Sequence, residues 1–225
     1  MHPKSIYCSL SHFYQKVNQM NLVISSSIGY LFGSLNLAAL FSKIKKKNLK
    51  EIGTGNLGTT NAMLIFGKRY AIWVLFFDIL KTFFAVRIAE RFFPFKRYSG
   101  LAAGASSIID HISPFYLHFK GGKGVASLLG LALSMDLFMG VSIIVIGISL
   151  MLVLNHAVVW PISVSIMFPI FNGIRTNDLV TFAVSVCIGA LIIYMHRHVI
   201  TDTLHGKEIL PRSYTKNFFF KHNKK

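Results

Sequence analysis

"MNLVISSSIGYLFGSLNLAALF", residues 20 to 41, is followed almost at once by "KIKKKNLK", residues 43 to 50. The first string carries no charge. An α-helix rises about 1.5 Å per residue, so a run of this length reaches across a hydrocarbon core of about 30 Å. The lysines behind it mark a membrane face, because cations collect in cytoplasmic loops. The pair therefore predicts a spanning helix that enters from outside, with residues 43–69 in the cytoplasm.

The same alternation governs the whole chain of 225 residues. Hydrophobic residues make up 53% and charged residues 14%, where a soluble domain carries about 25% charged. Mean hydropathy is +0.54. The expected fold is all-α: a polytopic integral membrane helical bundle. The net charge of +16 points to anionic lipid and anionic substrates. No soluble basic domain is present to take nucleic acid. Cys8 and Cys187 stand far apart, so neither a disulfide framework nor zinc spacing follows.

Residues 1–19 are polar and lack a signal-peptide core. They are read as a disordered extension or as lying ahead of a true start at Met20. Residues 20–208 form the membrane-embedded domain, and residues 209–225 a basic cytoplasmic tail. The second span covers Tyr70 to about Phe93. Its Asp78 and Lys81, at i,i+3, share one helix face. "PFKRYSG", residues 94 to 100, makes an external turn. The third span covers Leu101 to about Phe119. Breaks at residues 134–136, 155–161 and 172–178 favour four further helices before "HRH" (196 to 198). The count is about seven spans, with five as the alternative.

This topology puts three unusual stretches on the cytoplasmic face: "GTGNLGTTN" (53–61), "DHISPFYLHFKGGKGVAS" (110–127) and "HRHVITDTLHGKE" (196–208). The first matches G-x-G-x-x-G, but a dinucleotide site needs a preceding strand in a soluble βαβ unit. The second lacks Walker spacing. Successive glycine N–H groups can still form an anion nest, two lysines add charge, and the helix starting near Val125 adds its dipole. The bland alternative is an interfacial turn with snorkelling lysines. No H-E-x-x-H, G-x-S-x-G or Cys/His pairing indicates a metal or a covalent nucleophile.

With these patches in place, the sequence resembles the bacterial membrane acyl-phosphate:glycerol-3-phosphate acyltransferases of the PlsY type. The resemblance runs from Met20 onward through "GYLFGS", "IGTGNLGTTN", "FGKR", "DILK", "FKGGKGVA" and "HR....L.G.E". It implies transfer of an acyl group from acyl phosphate to glycerol 3-phosphate. The products are lysophosphatidate and phosphate, in the first step of phospholipid synthesis at the inner membrane. It implies no cofactor, no metal and no acyl-enzyme, and it implies membrane lipid and an acyl-phosphate-producing enzyme as partners. Carried over residue by residue, Thr54, Asn56, Asn61, His111 and His196 are the catalytic candidates. Gly53, Gly55, Gly58, Lys120, Gly121, Gly122, Lys123, Gly124 and Arg197 are the substrate-binding candidates. Asp78, Lys81 and Glu208 are supporting residues. The chain departs from the family pattern at Leu64, where an arginine is usual, at Asp110, where glycine is usual, and at Val199 and His198, which replace Asn and Glu. Those departures keep a second reading open: a non-catalytic member that binds a phosphorylated lipid or metabolite. A transporter is a third, with the Asp78 and Lys81 pair as its only hint.

Overall fold

The computed structural model describes residues 3–93 and 96–207. Every regular element among the described residues is helical. The chain divides into two compact units, Met1–Met135 and Asp136–Lys225. Glu208 and the basic tail of residues 209–225 lie outside the described residues.

The first unit contains α1 (Pro3–Ser34), α2 (Leu37–Ile44), α3 (Thr59–Phe66), α4 (Lys68–Phe92), α5 (Lys96–Ile112) and α6 (Val125–Met135). Glycines set how closely its helices approach. A Cβ on Gly29 would fall 1.9 Å from the Ala103 carbonyl oxygen, and one on Gly130 would fall 2.2 Å from that of Ile79. Small residues let backbones meet in this way where no hydrophobic force separates helix from lipid. The interior is correspondingly polar. Ser107 and Thr82 are buried and share a hydrogen bond of 2.8 Å. Large apolar side chains such as Val23, Leu31 and Trp73 face outward. An apolar exterior around a partly polar interior is the pattern of a protein dissolved in lipid.

The second unit contains α7 (Leu137–Leu154), α8 (Val159–Thr176), α9 (Leu179–Met195) and α10 (Arg197–Leu204). Asp136 caps α7 by accepting from Met139 N–H at 2.8 Å, and Asp178 caps α9 through Thr181 N–H at 2.8 Å. Arg175 Nε donates to Asp136 Oδ2 at 3.0 Å, tying the end of α8 to the start of α7. Gly189 lies against the Ser165 carbonyl, where a Cβ would stand 2.4 Å away.

Several expectations need correction. The run of residues 20–41 is not one unbroken helix: α1 ends at Ser34 and α2 restarts at Leu37. Asn36 caps the restart, its Oδ1 accepting from Ala39 N–H at 2.8 Å. The loop of residues 43–69 contains α3. The turn of residues 94–100 is shorter than expected, because α5 begins at Lys96. The third helix ends at Ile112, well before Phe119, since Pro114 disfavours a helical Ser113 and cannot donate to the ladder.

Four helices do occupy residues 125–195. However, α6 has 11 residues, about 16 Å, and is too short to cross a membrane alone. By length and apolarity together, residues 16–44 and α7 qualify as spans, with the α9–α10 pair, bent by 54°, as a third. Helix α4 is long enough at 25 residues but carries buried Asp78 and Lys81.

Candidate functional site

The buried charges of α4 organise the site. Lys81 Nζ donates to the carbonyls of Gly33 at 3.1 Å and Leu35 at 2.8 Å. These groups lie where α1 stops, so the helix itself supplies them with no donor. Lys81 Nζ is also 3.0 Å from Asp78 Oδ1 and 2.9 Å from His111 Nδ1, and His111 Nδ1 is 3.5 Å from Asp78 Oδ1. The tautomer of His111 decides which partner of this contact donates, and the other ring nitrogen is Nε2. That nitrogen points at the glycine loop: a Cβ on Gly122 would be 2.0 Å from it. The Asp78 and Lys81 pair thus serves the helix break and the histidine.

The glycine loop is pinned to the end of α5. Gly121 N–H donates to Ile112 O at 3.0 Å and Gly122 N–H to His111 O at 2.9 Å. Those two N–H groups are therefore used within the fold. Further along, Val125, Ala126 and Ser127 form the first turn of α6, and their N–H groups have no intrahelical acceptors. Ser127 is buried in that turn, and its hydroxyl has no hydrogen-bond partner. Lys120 is exposed and Lys123 half-buried. Gly124 has φ of 90°, a left-handed conformation that favours glycine.

The first patch folds around Asn61. This side chain is fully buried, and its Nδ2 donates to Leu49 O at 2.8 Å and Ile52 O at 3.0 Å. Its Oδ1 accepts from Thr54 N–H at 2.9 Å. With these polar atoms engaged, Asn61 shapes the loop. Gly53 has φ of 65°, and a Cβ there would strike Asn61 Oδ1 at 2.1 Å. Thr54 and Gly55 are exposed, Asn56 is half-buried, and Gly58 precedes α3.

These two patches meet. Leu57 N–H donates to Gly121 O at 3.1 Å, and Lys50 Nζ donates to Leu117 O at 2.6 Å. Asn36 Nδ2 holds Leu57 O at 3.4 Å. Lys50 was not singled out in the sequence, where it is one lysine among several. Asn36 was discoverable, because asparagine after an apolar run and before a new one is an N-cap signal. Tyr116 donates to Ser34 O. Partial desolvation, then the nearby Asp110, push the phenol of this exposed side chain above its ordinary range. Asp110 is buried, with the Tyr30 hydroxyl as the hydrogen-bonding neighbour of its carboxylate.

The third patch belongs to the second unit. His196 is buried at the junction of α9 and α10, its Nδ1 2.8 Å from Ile192 O. Arg197 stacks over Tyr194, its guanidinium carbon 4.2 Å from the ring centre, and donates to Tyr194 O at 3.1 Å. Glu208 lies outside the described residues. Among the described residues, no group of three or more His, Cys, Asp or Glu side chains is arranged to hold a metal.

These features define a class: a helical integral membrane protein with a basic glycine loop fastened over a buried lysine–histidine–aspartate cluster. The profile of the glycerol-3-phosphate acyltransferases matches residues 23–206. The chain is 31% identical over 179 residues to a glycerol-3-phosphate acyltransferase of Aquifex aeolicus, covering 80% of this chain and 93% of that one. It is 33% identical over 192 residues to one from Prochlorococcus marinus, covering 84% and 96%. The crystal structure of PlsY (YgiH), an integral membrane glycerol 3-phosphate acyltransferase, superposes in its glycerol 3-phosphate form with a TM-score of 0.79 at 30% identity, covering 84% of this chain and 94% of that one. Its lysophosphatidic acid form gives a TM-score of 0.76 at 29% identity, with the same coverage. The chain belongs to the glycerol-3-phosphate acyltransferase family.

Proposed function

We propose that this protein transfers an acyl group from acyl phosphate to the 1-hydroxyl of glycerol 3-phosphate at the cytoplasmic face of the inner membrane. The observation that carries this reading is the pinned loop. Gly121 and Gly122 are tied to α5 above His111, which places exposed Lys120 and the first turn of α6 beside them to meet phosphate. An acyl phosphate is already activated. The acceptor hydroxyl attacks the acyl carbon, the carbon–oxygen bond to phosphate breaks, and the leaving phosphate takes the proton. The protein need only hold two anions together and offset their repulsion. Exposed Thr54 and half-buried Asn56 supply a hydroxyl and an amide that orient the acceptor. His111 acts from beneath, as a positioning residue. For His196 and Arg197 the support is the family resemblance alone. Inner-membrane location and a partner that makes acyl phosphate follow from the same donor chemistry.

The test uses purified protein in lipid nanodiscs with palmitoyl phosphate and glycerol 3-phosphate. Release of lysophosphatidate with equimolar phosphate is expected, and palmitoyl-CoA should not replace the donor. A folded protein that binds glycerol 3-phosphate without turnover would instead establish the non-catalytic reading. Leu64 favours that second reading, since it stands 41% exposed on α3 where the family pattern has a guanidinium.

A further inference from the structure

The lysine run at the end of α2 and just beyond it borders a cavity of about 410 Å³. Lys43, Lys46, Lys47 and Lys50 line it, with Leu57 and Leu117 as apolar wall, and none of its lining residues is acidic. Lys50 is committed to the wall through its bond to Leu117 O at 2.6 Å. Lys43, Lys46 and Lys47 are exposed.

The turn that presents them is built by Ser42. Its hydroxyl donates to Lys47 O at 2.5 Å and accepts from Leu49 N–H at 3.1 Å. Lys46 takes a left-handed φ of 53° within it. Phe41 packs edge-on to Tyr70 at 4.9 Å between centroids, anchoring α2 to the start of α4. On α2 itself, Leu40 and Ile44, four residues apart, are 51% and 62% exposed and share one face. A short helix with an exposed apolar stripe beside a basic cavity has the chemistry of a membrane interface.

We propose that this cavity is a binding site for the phosphate-bearing headgroup of an anionic membrane lipid, separate from the glycine loop. The three free-standing ammonium groups meet the phosphate, and the acyl chains lie along Leu40 and Ile44. The apolar stripe is what a soluble phosphate would not need. Each lysine near a membrane surface contributes roughly fivefold to association with anionic lipid.

Spin-labelled phosphatidylglycerol and phosphatidylcholine, each at low mole fraction in phosphatidylcholine nanodiscs, provide the test. Wild type is expected to immobilise the anionic probe at least about fivefold over the zwitterionic one. Lys43→Gln/Lys46→Gln/Lys47→Gln should lose that preference. Lys43→Arg/Lys46→Arg/Lys47→Arg should retain it. A charge-matched tail variant, Lys221→Gln/Lys224→Gln/Lys225→Gln, should also retain it. All variants should keep the wild-type melting temperature, because the three cavity lysines are exposed. Equal loss in the cavity and tail glutamine variants would reduce the effect to the general field of a basic protein and overturn the proposal. Displacement of the lipid probe by millimolar inorganic phosphate would make this a soluble-phosphate site and overturn the lipid assignment.

Discussion

Lys81 Nζ lies 2.9 Å from His111 Nδ1, with both side chains buried between α4 and α5. The lysine also closes the broken end of α1 through Gly33 O and Leu35 O. The other ring nitrogen of the histidine faces Gly122. Two side chains therefore connect the interruption in the first membrane helix to the shape of the glycine loop.

Lys81→Met should destabilise the protein strongly. It strands the buried Asp78 carboxylate and two helix-end carbonyls, and breaking a buried pair on one side costs about 3–5 kcal/mol. Lys81→Met/Asp78→Asn should recover part of that loss. Thermal unfolding in detergent checks this, and additive losses in the double variant would deny the coupling.

Gly122→Ala should damage the loop more than the fold. The new Cβ would lie 2.0 Å from His111 Nε2, on a ring that Lys81 holds in place. Overpacking of this kind costs about 1–3 kcal/mol. The KM for glycerol 3-phosphate should rise, and adding His111→Ala should relieve the melting-temperature loss without restoring activity. A Gly122→Ala enzyme with unchanged KM and melting temperature would contradict the tight approach.

Asn61 and Thr54 should separate structure from chemistry. Asn61→Ala leaves two carbonyls and one N–H without their partner and should cost about 1–3 kcal/mol. Thr54→Ala removes only an exposed hydroxyl, so the melting temperature should hold while kcat/KM falls. The same pair of measurements, melting temperature and acyl transfer, reads both variants.

Asp136 predicts an acid limb in stability. The backbone N–H of Met139, then Arg175, holds its carboxyl below the ordinary carboxylate range. A group depressed on folding contributes stability that is complete above the unfolded value, about 3.9, and that is lost as pH falls through the lower folded value. Asp136→Ala should cost about 0.5–2 kcal/mol at pH 6, as loss of an N-cap does. The gap should narrow in melts taken toward pH 3.

Leu64→Arg should be tolerated, because the side chain is exposed. A surface change of this kind usually stays within about 0.5 kcal/mol. If the new guanidinium reaches a substrate phosphate, one charged contact of about 1.5–3 kcal/mol raises kcat/KM roughly 10- to 150-fold. A well-folded variant with no gain, from an inactive wild type, would favour the non-catalytic reading.

Apolar patterning was enough to define the class of this protein, because the bilayer leaves few choices. A backbone in hydrocarbon must satisfy its own hydrogen bonds, so long apolar runs mean helices. Local chemistry also settled the start of α6 at Val125 and placed the breaks between helices approximately: they fall at residues 136, 155–158 and 177–178, inside the wider expected stretches 134–136, 155–161 and 172–178. The glycines of both loops were legible for the same reason. Tertiary structure alone decided what the polar side chains do. Lys81 meets carbonyls 46 and 48 positions away and a histidine 30 positions away, and no local pattern encodes those partners. Asn61 and Asn56 look alike in "GTGNLGTTN", yet one is buried and engaged while the other is half-buried. The Gly121 and Gly122 N–H groups found the Ile112 and His111 carbonyls, partners that the loop's own sequence does not announce. A buried polar group must be paired, and which partner it takes depends on where the helices place it.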